Sequence, residues 1–350
     1  MTGSKVSGAV GVRRCLVLGG SAFIGRRLVE VLLGAGHEVT VLNRGTRAAI
    51  PDGVERLIAD RGDPAAVRAA LAGRSWDAVF DVSGQVQVAT VDAIADLLDA
   101  LDGRCGVYVF VSSIAAYALG DGSFPWTEER PLSTSRPTGY GGHKAPVERL
   151  LARRHAERSF PAVVVRPAAV YGPHDNIPDG EIAMFLRLRQ GRPVLVPHEG
   201  LVAFSYGHVD DLVDALVLAA TVPAAVGRGF NVTADAVTAL HYVRTLAEIV
   251  GVEADVCFVP EAVLATLGQP PPFNHRFQKV MHSVLSIEAA RSVLGFQPRY
   301  DFAAGHRQTY RWFLDEGLDR LEGTLSDPVW RMSWDFDREA SVAAAIRAGA

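Results

Sequence analysis

Cys15-Leu16-Val17-Leu18-Gly19-Gly20-Ser21-Ala22-Phe23-Ile24-Gly25 decides how this 350-residue chain folds. Its first four residues form an unbroken apolar run, the pattern of a strand buried on both faces. Residues 24–33 then carry helical spacing that stops near Gly34 and Gly36. Between strand and helix, glycines let backbone amides approach a pyrophosphate, and the helix N-terminus adds partial positive charge. A plain structural turn is the competing reading, but a strand before and a helix after favour a dinucleotide site. Gly19, Ser21, Ala22, Phe23, Ile24 and Gly25 are therefore candidate cofactor-binding residues. Ala22 stands where G-x-x-G-x-x-G has its middle glycine, which removes some backbone latitude.

Outward from that turn, apolar strand-like runs alternate with helical patterns. Strands are predicted over 38–42, 56–59, 77–82, 107–111 and 162–165, and helices over 91–101 and from Tyr140 to about 157. β-Branched runs separated by helices imply an α/β, doubly wound parallel sheet of the Rossmann type, with ligands at the carboxyl ends of its strands. Past Gly172 the rhythm breaks. Prolines and glycines cluster at Gly172-Pro173, Ile177-Pro178-Asp179-Gly180 and Gly268-Gln269-Pro270-Pro271-Pro272, with helical patches at 182–189, 211–220, 240–250 and 287–294. The expected organisation is a flexible tail over 1–12 and a dinucleotide-binding domain over 13–171, which 208–232 rejoins. A smaller, mixed substrate-binding lobe follows over 172–322, then a tail over 323–350 that ends in an alanine-rich helix candidate.

Composition narrows the class. Apolar residues make up 49% and charged residues 21%, which suits an ordinary globular protein with ample core, and the net charge of −4 gives no basic footprint for nucleic acid. Cys15, Cys105 and Cys257 are widely spaced and read as buried thiols, with neither a disulfide framework nor a metal site expected. No apolar run approaches the roughly 20 residues that span a bilayer. The opening segment is small and polar, unlike a signal peptide. A cytoplasmic enzyme with no membrane and no nucleic-acid partner is the expectation.

Tyr140-Gly141-Gly142-His143-Lys144 carries chemistry. An i,i+4 spacing puts phenol and ammonium on one helix face, and the ammonium favours the phenolate, giving a proton shuttle usable at neutral pH. Upstream, the strand over 107–111 ends at Ser112-Ser113. At the end of the second strand a carboxylate would favour NAD; Asn43-Arg44 stands there instead, so NADP is favoured over NAD, unless Arg44 is a solvated loop residue. Asp60 either accepts a hydrogen bond from the adenine amino group or is an exposed loop acid. Gln85, past the fourth strand, either meets the cofactor or lies in plain loop.

These residues resemble the extended short-chain dehydrogenase/reductase superfamily, of the NAD-dependent epimerase/dehydratase type. The resemblance covers roughly residues 13–321. It rests on the 19–25 turn, Val111-Ser112-Ser113 through Tyr117, Tyr140 to Lys144, Arg166-Pro167-Ala168-Ala169-Val170-Tyr171-Gly172-Pro173, His208-Val209-Asp210-Asp211-Leu212 and Leu294-Gly295-Phe296-Gln297-Pro298. Asn43-Arg44-Gly45 and the stretch 204–211 are similar to a branch that includes chloroplast stem-loop-binding proteins. The resemblance implies that Tyr140 is the general acid/base, that Lys144 holds the nicotinamide ribose and tunes Tyr140, and that Ser113 shares the proton on the reacting hydroxyl. Ser113 is preferred over Ser112 because the family's Ser/Thr stands four residues before the tyrosine matched by Tyr117. A homodimer acting on a sugar-like small molecule is implied.

Departures from the family pattern shape the reaction. Dehydratases place an Asp-Glu pair after the catalytic Ser/Thr, where this chain has Ile114 and Ala115, and neither can move a proton. Ala169 and Phe204 stand where sugar-nucleotide epimerases carry an Asn and an Arg that contact the diphosphate, and Arg276 matches a later phosphate-contacting arginine loosely. The leading expectation is an NAD(P)-dependent epimerase working through a transient keto intermediate. An NADPH-dependent ketoreductase or dehydrogenase is the alternative, and a non-catalytic RNA-binding relative the distant one. His143 reads as a packing residue, His208 and Asp210 as props for a strand-to-helix connection, and Trp312, Trp330 and Trp334 as anchors for the last helices.

Overall fold

Apolar runs with no polar face satisfy their backbone only inside a sheet covered on both sides. The computed structural model of the chain describes residues 13–46, 50–82, 90–119, 123–134, 140–175, 180–268, 271–278, 281–320 and 335–349. Its strands, in chain order, are β1 (Arg14–Leu18), β2 (Glu38–Asn43), β3 (Glu55–Ile58), β4 (Ala78–Asp81), β5 (Tyr108–Val111), β6 (Ala162–Pro167), β7 (Ala169–Tyr171), β8 (Val194–Pro197), β9 (Ala203–His208), β10 (Gly229–Val232), β11 (Asp235–Thr238) and β12 (Val256–Val259). The helices are α1 (Phe23–Gly34), α2 (Pro64–Leu71), α3 (Val91–Leu101), α4 (Tyr140–Arg158), α5 (Glu181–Arg189), α6 (Val209–Thr221), α7 (Ala239–Val250), α8 (Glu261–Leu264), α9 (Phe302–Asp315) and α10 (Phe336–Gly349).

Seven strands form one sheet in the order β10-β6-β5-β4-β1-β2-β3. β1 runs parallel to β2 and β4, β2 to β3, β4 to β5 and β5 to β6. This is the doubly wound sheet that the alternating pattern predicts. Strand order reverses on either side of β1, and such a switch point opens a crevice at the carboxyl ends of the strands. Leu18, the last residue of β1, pairs with Leu42 on one side and Asp81 on the other. Short-range signals start the flanking helices: Asp63 caps α2 through Ala65 and Ala66, with Pro64 in the first turn, and the Thr90 hydroxyl accepts from Ala93 at the start of α3.

The chain divides into two compact units. The first comprises Met1–Ala116, Ser133–Val165 and Leu216–Gly229; the second comprises Tyr117–Leu132, Arg166–Ala215 and Phe230–Ala350. In the first, Leu16, Val79, Tyr108 and Phe110 of the sheet pack with Leu97 and Leu98 of α3 and Val147 and Leu151 of α4. The second builds its own core from α5, α7 and α9 around a three-stranded sheet ordered β11-β9-β7 and a parallel β12-β8 pair. Phe185, Tyr242 and Phe313 are fully buried there. α10, the helix expected from the alanine-rich tail, packs in this unit: Ala343 is buried in its core, and Glu339 meets Arg187 of α5 in a bidentate ion pair at 2.7 and 2.6 Å.

Candidate active site

The glycine turn is shaped by close backbone approach. Gly19 adopts φ 95°, which costs a residue without Cβ little. A Cβ on Gly25 would stand 2.0 Å from the Gly19 carbonyl oxygen, so the first turn of α1 lies directly against the turn's backbone. A Cβ on Gly20 would meet Val41 at 2.7 Å. Ala22 precedes α1 in an extended conformation, with no side-chain cap and no acid in the first helical turn. Ala22 therefore leaves the positive end of α1 without a side-chain cap, and the tight packing at Gly20 and Gly25 holds the backbone of the turn against that end. That geometry fits a dinucleotide pyrophosphate.

Two contacts tie α4 to the end of β5. Lys144 Nζ donates to the Val111 carbonyl at 2.6 Å and stands 4.7 Å from the centre of the Phe110 ring. One residue on, the Ser112 hydroxyl donates to the buried Glu148 carboxylate. Ser113 is buried as well, and its Oγ accepts from the Ala115 amide at 3.1 Å. Lys144 and Ser113 are thus brought to the same strand end. α4 begins at Tyr140, whose side chain lies outside the described residues. Burial pushes the Lys144 ammonium down to about 8, against the opposing pull of the Asp81 carboxylate; Arg61 lowers it further and Glu148 raises it.

Beneath this lies a network that sequence reasoning did not single out. Asp81, the last residue of β4, is 1% exposed. Both its oxygens accept from Arg61, Nη1 to Oδ1 and Nη2 to Oδ2 at 2.7 Å each, and the Tyr108 hydroxyl donates to Oδ2 at 2.6 Å. Burial works to raise the Asp81 carboxyl, but the guanidinium outweighs it and holds the group below the usual carboxylate range. Burial, and then Asp81, push the Tyr108 phenol well above its ordinary value. The available signal was the single acid that ends the apolar run Ala78-Val79-Phe80-Asp81.

Asn43 ends β2, and its Oδ1 accepts from the Gly45 amide at 3.0 Å and from Arg56 Nε at 3.2 Å. Asn43 Nδ2 is a buried donor with no partner among the described residues. Arg44 is exposed. Asp60 is exposed too, with Oδ1 accepting from Gly62 at 2.8 Å. Gln85 lies outside the described residues, as do Trp330 and Trp334.

The second unit holds the remaining family positions. Ala169 pairs with Tyr206 across β7 and β9, and Phe204 lies on β9 opposite Val237. Arg276 is buried, ion-paired with Glu181, and donates to the Val170 carbonyl at 3.3 Å. Its charge is engaged inside the unit. His208 is buried, and its Nδ1 accepts from the Asp210 amide at 3.2 Å, bracing the step from β9 into α6. Cys15 and Cys257 are buried free thiols, and Cys105 is a half-buried one. Among the described residues no helix is long and apolar enough to cross a membrane, and no group of three or more His, Cys, Asp or Glu is placed to hold a metal ion.

With this geometry in place, comparison with known proteins gives the class. The model of the NAD dependent epimerase/dehydratase family matches residues 15–233, and the chain belongs to that family. It is an enzyme of the NAD(P)-dependent epimerase/oxidoreductase kind, and the superfamily resemblance carried by its motifs is confirmed. Over 330 residues it is 28% identical to chloroplast stem-loop binding protein of 41 kDa b from Arabidopsis thaliana, covering 90% of this chain and 82% of that protein. Over 328 residues it is 30% identical to a UDP-glucose 4-epimerase from Mycolicibacterium smegmatis, covering 86% of this chain and 98% of that one. An epimerase structure from Methanothermobacter thermautotrophicus shares the fold, with a TM-score of 0.73 at 22% identity over 89% of this chain and 95% of that chain.

Proposed function

We propose that this chain is an NAD(P)-dependent epimerase acting on a hydroxyl-bearing carbon of a sugar or nucleotide-sugar-like small molecule through a transient keto intermediate. The observation that carries the reading is the attachment of Lys144 to the last residue of β5, beside Ser113 and on the helix that starts with Tyr140. The glycine cradle at the switch point of the same sheet supports a dinucleotide, which supplies reversible hydride transfer when bound.

In this reading Tyr140 takes the hydroxyl proton as a ketone forms and returns it when the alcohol is restored. Lys144, an ammonium below about pH 8, holds ribose hydroxyls and favours the phenolate. Ser113 shares the reacting proton; Ser112, committed to Glu148, is the poorer choice. Ile114 and Ala115 cannot move a proton, which disfavours water loss. Asn43 and Arg44 take the adenosine ribose, and Arg44, with no acid beside it on the strand end, favours NADP over NAD. Asp60 and Gln85 are assigned to the adenine and the cofactor path. The similarity to a UDP-glucose 4-epimerase supports a sugar-like substrate, and a cytoplasmic homodimer completes the reading.

Mass spectrometry of ligand released from freshly purified protein tests this, together with turnover on a sugar and nucleotide-sugar panel. Retained dinucleotide and epimer interconversion with none added are expected. A strict requirement for stoichiometric NADPH would make the chain a reductase instead. RNA affinity unchanged by Tyr140→Phe, with no redox activity on any substrate, would remove the enzymatic reading of the site.

A further inference from the structure

We propose that Asp81 and Arg61 are positioning residues for Lys144: the Asp81 carboxylate holds the ammonium at the end of β5, and the Arg61 guanidinium fixes that carboxylate. The inference stands on the first unit's strand register, hydrogen bonds and charges, and only its consequence for turnover rests on the function proposed above.

Strand register places the three groups. Asp81 on β4 pairs with Phe110 on β5. Side chains two apart on a strand share a face, so Tyr108 and Phe110 project together, and the Tyr108 hydroxyl reaching Asp81 Oδ2 shows that Asp81 lies on that face too. Lys144 Nζ sits over the Phe110 ring from α4, whose Val147 belongs to the same core as Tyr108 and Phe110. The ammonium stands over Phe110, and the carboxylate belongs to that residue's register partner on β4. Arg61, in the turn between β3 and α2, closes the other side of the carboxylate with two parallel bonds, a geometry that allows little rotation.

Among the described residues, four groups set the charge environment of Lys144. Asp81 from β4 and Glu148 from α4 are its anions, Arg61 is the second cation, and Tyr108 on β5 is the neutral donor. A buried ion pair serving packing alone is often replaceable by apolar residues without loss. This one stands at the carboxyl ends of β3 and β4, where a doubly wound sheet holds its ligands, and its field falls on the Lys144 ammonium. The two members act on Lys144 in opposite senses. Removing the carboxylate disfavours the ammonium, while removing the guanidinium favours it.

Competitive acylation of the full-length protein across pH, with the Lys144 peptide quantified by mass spectrometry, reads this titration without any activity assay. Asp81→Asn is expected to move the Lys144 midpoint down by about one unit, and Arg61→Gln to move it up. The double variant R61Q/D81N removes both members of the Arg61–Asp81 pair together, which covers failure of either single variant to fold. Asp81 is the stronger influence of the two, so the double variant should move the midpoint down by less than D81N does. Midpoints unchanged in all variants that fold, or both singles shifting the same way, would overturn the proposal. In parallel, the alkaline limb of kcat/KM against pH should follow the labelling midpoints. Labelling that shifts as stated while that limb stays fixed supports the positioning role and removes Lys144 from the proposed reaction.

Discussion

Lys144 Nζ lies 2.6 Å from the carbonyl oxygen of Val111, so a helix ammonium is tied to the backbone of a central strand. A main-chain acceptor inside a sheet does not change rotamer, which makes the position of this charge a property of the fold. The ammonium is also almost wholly out of water, and burial of a charge without full compensation weakens the folded state. Under the proposed function, activity and stability therefore pull against each other at this residue.

Lysine at this site should make stability rise with pH. Its folded-state value of about 8 lies below the ordinary 10.5, so between those limits the unfolded chain binds more protons. Below about pH 8 both states are protonated and the folded protein carries the whole cost; above 10.5 neither is charged and the cost is gone. Measured against Lys144→Met, which cannot titrate, the wild-type protein should gain on the order of 3 kcal/mol across that window. Chemical denaturation at pH 7.5, 9 and 10 reads the difference. A constant gap would contradict the burial argument.

Under the proposed function, Tyr140→Phe should lower kcat by roughly 10²–10⁴ with little change in KM, because phenylalanine lacks the hydroxyl that would move the proton. Dinucleotide retained through purification should persist in this variant, since the glycine turn is untouched. A large rise in KM at near-normal kcat would mean that Tyr140 binds substrate and does no proton chemistry.

Gly25→Ala tests the cradle. Its Cβ would need to sit 2.0 Å from the Gly19 carbonyl, a distance only backbone movement can relieve. Expected results are loss of retained dinucleotide and a lowered Tm. Gly36→Ala is the companion control: at φ 80° it has nothing within 4 Å of an added Cβ, so it should cost stability through backbone strain and keep the cofactor.

Arg44→Ala should raise KM for NADP more than for NAD, because the side chain stands exposed after the strand end that carries Asn43. Initial rates with either cofactor added to stripped enzyme measure the ratio. Equal losses for both would assign Arg44 to a site other than a 2′-phosphate.

How much of this could be read in the chain differs between the units, for physical reasons. β1, β2, β4 and β5 are runs such as Cys15-Leu16-Val17-Leu18 that can be stable only between two helical layers, so their letters specify them. Ala203-Phe204-Ser205-Tyr206-Gly207-His208 has no such run; it becomes β9 because β7 and β11 pair with it, and Tyr206 meets Ala169 from far along the sequence. Long-range pairing of short strands leaves no local signature. At the end of β5, Lys144 is flagged by its spacing from Tyr140, and Ser113 by the family resemblance. Arg61 and Asp81 are not, because a salt bridge between residues 20 apart shows in sequence only as one acid closing an apolar run. Glu148 belongs to no motif, and only the structure shows the Ser112 hydroxyl donating to it.

The same reasoning extends to α10, where Arg187 of α5 and Glu339 form a pair with both side chains 3% exposed or less. Phe336 stacks against the same guanidinium, its ring centre 5.1 Å away. Glu339→Ala would strip the carboxylate from a buried cation, at an expected cost of about 3–5 kcal/mol. Replacing both residues with methionine removes the charges together and should recover most of that loss. Denaturant titration of Glu339→Met, Arg187→Met and the double methionine variant closes the cycle. A strongly favourable coupling with the double near wild type would mean that α10 is held by packing through Ala343 and Phe336, with the ion pair fixing its register. A double variant as unstable as E339A would instead make the ion pair itself the main bond holding the C-terminal helix.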